Sequence, residues 1–224
     1  MYMSLIELKN VSYSYRSKYY TVHAVQQVNA VFERGKFYAI IGKSGSGKTT
    51  LLSLLAGLDL PKEGEIIFDG TPTKDADLER HRRENVAVIY QNFNLFPLLN
   101  SVENIVYAME LNGLKGNKAK EKAKELLKKV GLGEHCEKHY PNMLSGGEQQ
   151  RVAIARALGT NATCILADEP TGNLDVANGQ EIIRIFKQLA HEENYCVIVV
   201  THDMSIAEEA DVIYIMSDGK LNEK

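Results

Sequence analysis

Tryptophan is absent from the 224 residues, proline occurs five times and cysteine three times. Three cysteines at 136, 164 and 196 are odd in number and far apart, which excludes a closed disulfide framework and fits a reducing compartment. Cys164 and Cys196 fall in apolar, strand-like runs and read as small core residues. Cys136 stands between His135 and His139, all of metal-ligand type. No fourth ligand follows at a zinc-site spacing, so the cluster reads as a solvated helix end. A charge bias is also missing: 26 Lys and Arg against 29 Asp and Glu leave a formal net charge of −3. Nothing in that balance drives the chain toward nucleic acid or anionic lipid. No apolar run approaches the roughly 18 residues of a membrane helix, and no signal-peptide pattern opens the chain. The expectation is a cytosolic protein that works at a membrane only if another chain anchors it.

What is present centres on Gly42-Lys43-Ser44-Gly45-Ser46-Gly47-Lys48-Thr49, which fills every fixed position of G-x-x-x-x-G-K-[ST]. Phe37-Tyr38-Ala39-Ile40-Ile41 before it reads as a strand buried on both faces, and Thr50-Leu51-Leu52-Ser53-Leu54-Leu55-Ala56 after it reads as helix. At such a switch, glycines let backbone N–H groups turn toward an anion, and the helix N-terminus adds partial positive charge. Lys48 is then placed for the outer phosphates of a nucleotide and the Thr49 hydroxyl for Mg²⁺. A merely tight turn needs one glycine, and neither the second at this spacing nor the Lys-Thr pair.

Along the chain, residues 5–15 alternate as a half-buried strand, with 28–32 as an antiparallel partner and 65–70 as a further short strand. Residues 77–83 form a charged helical stretch, and Val86-Ala87-Val88-Ile89-Tyr90 is another buried strand. Residues 101–111 and 119–130 then carry helical periodicity, and a helical insert is expected over about 92–143. The lysines of 119–130 are interspersed with Glu121 and Glu125, as on a solvated face. Apolar runs at 163–167 and 195–201, separated by a helical pattern over 178–191, imply a parallel sheet with crossover helices. A last strand at 211–216 turns at Ser217-Asp218-Gly219 into a short polar end.

Candidate chemistry sits where these strands stop. Asp168 ends an apolar strand and suits Mg²⁺, through a water, while Glu169 beside it can orient or deprotonate an attacking water. His202 follows the next apolar strand and can bridge a γ-phosphate and that water; Gln91 follows 86–90 and offers an amide to metal or water. Leu144-Ser145-Gly146-Gly147-Glu148 contains a capping box, Ser145 with Glu148. A cap alone does not call for two adjacent glycines, which expose N–H groups and leave room for another molecule's phosphate. Two helix N-termini built for anions suggest two chains sharing two nucleotides.

With these motifs in this order, the chain resembles the nucleotide-binding subunit of ABC transporters over nearly its whole length. Residues 42–49, with Thr50 beside them, match Walker A; Gln91 matches the Q-loop, 144–148 the signature, 164–168 Walker B, Gly172-Asn173-Leu174-Asp175 the D-loop and His202 the switch histidine. Tyr15 matches the aromatic residue that stacks on adenine. Glu148 stands where the signature usually has Gln, and Thr49 where Ser is commoner. Asn92-Phe93-Asn94-Leu95-Phe96-Pro97-Leu98-Leu99, Glu103-Asn104 and Leu58-Asp59-Leu60-Pro61 look like the branch for lipoprotein release, macrolide efflux and antimicrobial-peptide export, a pattern shared in part by polar amino-acid importers.

The resemblance implies an α/β fold: a P-loop NTPase, RecA-like core with a parallel sheet, an N-terminal antiparallel β subdomain and the helical insert, all in one domain over 1–224. It implies ATP and Mg²⁺ (at Thr49, Gln91 and Asp168), and a second ATP-binding subunit whose nucleotide is met by 144–148, with Asp175 at the shared boundary. An integral membrane permease, docked near residues 93–100, would hold the chain at the cytoplasmic face of the membrane; nucleic acid is not expected. Two alternatives stay open: force transmission to an extracytoplasmic enzyme or signalling partner without transport, and a soluble ABC ATPase.

Overall fold

The computed structural model describes residues 4–224. The first layer begins with β1 (Ser4–Arg16) and β2 (Thr21–Glu33), paired antiparallel with Leu8 opposite Ala30 and Val11 opposite Val28. β2 begins seven residues before the apolar run at 28–32. Its first half carries His23, Gln26 and Gln27, and edge pairing needs only backbone groups, so no hydrophobic signal marks it. After β3 (Phe37–Ile41) and α1 (Lys48–Leu55), β4 (Glu63–Phe68) and β5 (Thr71–Pro72) complete a four-stranded sheet of order β2-β1-β4-β5.

The second sheet is built from the apolar runs. α2 (Leu78–Glu84), capped by Asp77, leads into β6 (Val86–Tyr90); α3 (Ser101–Leu111), α4 (Gly116–Lys129) and α5 (Gly146–Leu158) follow. Then come β7 (Cys164–Asp168), α6 (Val176–Glu193), β8 (Cys196–Thr201), the short α7 (Met204–Glu208), β9 (Val212–Ser217) and β10 (Lys220–Glu223). The order is β10-β9-β3-β8-β7-β6, with every pair parallel except β9 with β10. The polar end of the chain is thus a strand. Asp218 and Gly219 both have positive φ, as a two-residue hairpin turn demands, and an edge strand can pair through its backbone with polar side chains.

Alternation along β7 and β8 divides the interior in two. Ile165, Ala167, Val197 and Val199 face α3, α4, α5 and α6. Cys164, Leu166, Cys196, Ile198 and Val200 face α1 and the four-stranded sheet. Both sides of these strands are dry, which is why their sequences are apolar without a period of two. Cys164 and Cys196 lie opposite each other as free, buried thiols on the second face. Cys136, by contrast, is not at a solvated helix end: it is fully buried among residues of α4 and α5.

A buried amide fixes the loop ahead of α3. Asn104, fully buried, accepts from the Phe96 N–H at 2.8 Å and donates to the carbonyls of Phe96, Leu99 and Asn100 at 3.2, 2.8 and 3.1 Å. Asn100 and Glu103 close a capping box on the same turn. Arg156 of α5 donates to the carbonyls of Asn94 and Phe93 at 2.6 and 3.1 Å. Residues 93–104 are therefore held in one shape by polar bonds, leaving Leu98 outside at 86 % exposure.

His81 of α2 is buried against Phe68, ring centroids 4.8 Å apart, and burial followed by the nearby Arg82 charge holds its pKa below the ordinary histidine value. A lowered folded-state pKa means that the unfolded chain takes up the proton first, so stability is lost as pH falls through the unfolded value of about 6.5 toward the folded one. Urea unfolding between about pH 7.5 and 5.5 should show the parent losing more stability on acidification than a His81→Leu variant. Equal slopes would show that His81 does not titrate with folding.

Candidate active site

Four neighbouring parallel strands end level at one edge of the second sheet. Ile41 pairs with Thr201, Asp168 with Val200 and Tyr90 with Asp168, so the residues just beyond β3, β8, β7 and β6 emerge together. The crevice outside the carboxyl ends of such strands is where open α/β sheets bind ligands. Here it is a cleft of about 890 Å³ whose wall carries Tyr15, Ser44, Gly45, Gly47, Lys48, Thr49, Thr50, Gln91, Asp168, Glu169 and His202. Val22, His23, Ala24, Gln26, Asp218 and Gly219 complete the rim, and none of them was expected, because they come from the polar half of β2 and the β9–β10 turn.

The loop between β3 and α1 has the geometry of an anion cradle. Gly47, at φ +106°, caps α1, and a Cβ there would lie 2.0 Å from the Ala24 carbonyl of β2, so no other residue fits. No acidic residue occupies the first turn of α1, leaving its positive end for a ligand. Lys48 donates from Nζ to the carbonyls of Gly42 and Lys43 at 2.8 and 3.0 Å, which holds the ammonium inside the loop. Ser46 stands with its Oγ buried behind the loop rather than on the cleft wall.

Across from the loop, Thr49 Oγ1 lies 3.4 Å from Asp168 Oδ2. Two hard oxygens so close, opening on the same cleft, fit an Mg²⁺ ion that keeps most of its waters. Burial, and then the Glu169 charge, raise the Asp168 pKa; Thr49 and Lys48 oppose the shift. A bound cation would reverse the balance by favouring the carboxylate.

Glu169 is the most constrained group of the cleft. Its backbone is left-handed at φ +47°, a conformation that side-chain-bearing residues rarely take, and its N–H donates to the Val200 carbonyl at 2.8 Å. Glu169 Oε2 accepts from Thr201 Oγ1 at 3.0 Å and the His202 N–H at 3.3 Å, while Oε1 lies 2.8 Å from His202 Nδ1. Thr201 thus positions the carboxylate, a role visible in sequence only as its adjacency to His202. Gln91 Nε2 donates to Asn173 Oδ1 at 3.2 Å, and Asn173 Nδ2 donates back to the Gln91 carbonyl at 3.1 Å, so the end of β6 is bonded to the loop after β7. The Tyr15 hydroxyl is 3.2 Å from Thr50 Oγ1, and its ring, about half exposed, stands on the cleft wall.

A family model described as "ABC transporter" matches residues 25–172. The chain belongs to that family. The uncharacterized ABC transporter ATP-binding protein YclH of Bacillus subtilis is 43% identical over 99% of this chain and 97% of its own length. MJ0796 of Methanocaldococcus jannaschii, also an uncharacterized ABC transporter ATP-binding protein, is 41% identical over 97% of this chain and 95% of its own. A solved dimer of the MJ0796 cassette in a post-hydrolysis state, bound to ADP and Pi, superposes with a TM-score of 0.90 at 40% identity, covering 98% of this chain and 97% of that one. The macrolide export ATP-binding/permease protein MacB of Syntrophobacter fumaroxidans is 41% identical over 97% of this chain, which spans only 31% of it. The cassette is accordingly an ATP-binding ABC ATPase, and its resemblance to the lipoprotein-release and macrolide branch agrees with these relatives.

The cassette's signature residues and Asp175 do not reach the cleft of their own chain. Ser145 caps α5 and closes its box with Glu148: Glu148 N–H donates to Ser145 Oγ at 3.3 Å, and both the Ser145 N–H and hydroxyl donate to Glu148 Oε2 at 2.8 Å. These bonds hold the Glu148 pKa below the usual range. Leu144 is buried beneath the turn. A Cβ on Gly147 would lie 2.3 Å from Asn178 Oδ1, whereas one on Gly146 would meet nothing nearer than 3.3 Å. The second glycine is therefore required within the chain, to let α5 approach α6, and Asn178 is itself held by Asp175, the α6 cap, at 2.9 and 2.7 Å. Gly147→Ala should lower stability by about 1–3 kcal/mol, and Asn178→Ala in the same chain should recover part of that loss. A double-mutant cycle by urea unfolding reads the coupling; additive effects would contradict the contact.

Proposed function

We propose that the cassette is the ATP-driven motor subunit of an ABC transporter, working as an ATP-dependent pair and coupled to a separate membrane permease. The supporting observation is the division of its candidate phosphate-binding parts: one helix N-terminus, at α1, opens on the cleft, and the other, at Ser145-Gly146-Gly147, is not part of the cleft wall. A second cassette brings its signature to the first one's nucleotide; the pairing is supported by the relative that is dimeric and bound to ADP and Pi. Adenine stacks on Tyr15; the phosphates lie along Gly42-Lys43-Ser44-Gly45-Ser46-Gly47, with Lys48 and Thr50 at their ends. Thr49, Gln91 and Asp168 would hold Mg²⁺, which when bound would supply charge neutralisation to the phosphates.

Hydrolysis then rests on positioning and electrostatics. Glu169, clasped by Thr201 and His202, takes the proton of a water aimed at the γ-phosphorus. His202 donates toward the γ-phosphate, and Lys48 offsets the charge that develops on its oxygens. Loss of phosphate separates the two chains. Gln91, tied to Asn173, transmits that movement to residues 93–104, where the exposed Leu98 and the half-exposed Phe96 offer an apolar landing for a permease. No helix among the described residues is long and apolar enough to cross a membrane; attachment through that partner is part of this reading. Export, in the lipoprotein, macrolide and antimicrobial-peptide branch, is the reading favoured here, and the likeness to the macrolide exporter MacB supports it.

Glu169→Gln should bind ATP as the parent does while its turnover falls by roughly 10²–10⁴-fold, the usual worth of a general base. The same variant, tagged and offered MgATP in solubilised membranes, should retain an integral membrane chain. Turnover at the parent rate would remove Glu169 from the mechanism, and recovery of soluble partners alone would favour a soluble ATPase.

A further inference from the structure

Outside the cleft, one group of side chains has the chemistry of a second metal site. Among the described residues, His135, Cys136 and Glu148 are the single grouping of three His, Cys, Asp or Glu residues whose ligand atoms all lie within 4.8 Å of one another. Cys136 Sγ is 3.2 Å from His135 Nε2 and 3.6 Å from Glu148 Oε1, and the latter two atoms are 3.9 Å apart. In a tetrahedral zinc site, bonds of about 2.3 Å to sulfur and about 2.0–2.2 Å to nitrogen and oxygen put neighbouring ligand atoms roughly 3.3–3.6 Å apart. The observed triangle is one face of such a tetrahedron to within about half an ångström.

We propose that His135, Cys136 and Glu148 bind one zinc-class divalent cation, which ties the turn at Glu134–Cys136 to the first turn of α5. The thiol, imidazole and carboxylate select a borderline metal over Mg²⁺ or Ca²⁺, which take oxygen alone. Sulfur is buried, the carboxylate half-buried and the imidazole exposed, so the ion enters past His135. The fourth position falls to water, or to His139, whose ring stands edge-on to His135 with centroids 5.9 Å apart.

Coordination needs no disturbance of the cap. Glu148 uses Oε2 for Ser145 and keeps Oε1 for the metal, where that atom now accepts the Cys136 thiol proton. Burial and the Glu148 charge hold the Cys136 pKa up. On binding, the S–H bond is exchanged for a sulfur–metal bond and the proton leaves to solvent. Thiolate and carboxylate together neutralise the ion, and the Arg151 guanidinium close to both stays balanced by Glu181, which it also faces. Affinity should therefore decline as pH is lowered, because a proton competes for sulfur.

The test titrates the full-length cassette, without nucleotide, with Co²⁺ and then Zn²⁺. One equivalent of Co²⁺ should give the near-ultraviolet charge-transfer band of a cobalt–thiolate bond, and Zn²⁺ should bleach it. Among the described residues, no grouping of His, Asp or Glu ligands forms around Cys164 or Cys196, which face the apolar interior of β7 and β8, so the band reports Cys136. Cys136→Ser should abolish the band. His135→Ala changes an exposed residue, and should weaken binding beyond the roughly 10–100-fold that loss of an outer-shell partner brings. A flat spectrum at one equivalent, or parent-like affinity in His135→Ala, would overturn the site.

Discussion

The parallel register of β6, β7, β8 and β3 is the constraint on which the rest of the cassette depends. Because Tyr90, Asp168, Val200 and Ile41 end at nearly one level, residues that are distant in sequence leave the sheet at one edge. The phosphate loop, the two carboxylates, the histidine and the glutamine need no long excursions to meet. Dry packing on both sheet faces keeps that edge rigid, and precision of this order is what catalysis by positioning requires. A slip of one residue in β7 would exchange its two buried faces and withdraw Asp168 from Thr49.

The same edge carries the strain and the links outward. Glu169 is held in a left-handed conformation by Val200, Thr201 and His202, so its carboxylate is fixed before any substrate arrives. Gln91 and Asn173 exchange two hydrogen bonds, which connects the cleft to the loop after β7 and, through Gly147 against Asn178, to the start of α5. The cleft, residues 172–175 and the start of α5 are thus joined by a continuous run of contacts.

Much of this was legible in the sequence because its signals are local. The phosphate loop is eight contiguous residues between a strand and a helix, and Asp168, Glu169 and His202 each terminate an apolar run, so strand ends and chemistry could be read together. Relations between distant residues were not legible. Gly147 reads as room for a foreign phosphate, yet it is first of all the contact with Asn178, 31 positions later, that forbids a side chain. Cys136 reads as solvated because its partner, Glu148, is 12 positions away and is already accounted for in sequence by the capping box with Ser145. The early half of β2 and all of β10 escaped because edge strands pair through the backbone and tolerate polar residues.

The central claim is that each nucleotide is held between Walker A of one chain and the signature of another. It is tested most directly by placing cysteines at Ser44→Cys and Ser145→Cys in one chain and adding a short bifunctional thiol cross-linker with and without MgATP. With Cys136→Ser in the same chain, the two remaining native cysteines are buried within β7 and β8, so the introduced pair dominates the reaction. The account predicts a covalent dimer that forms with nucleotide and is nearly absent without it. Monomers under both conditions, or a cross-link confined within one chain, would contradict it.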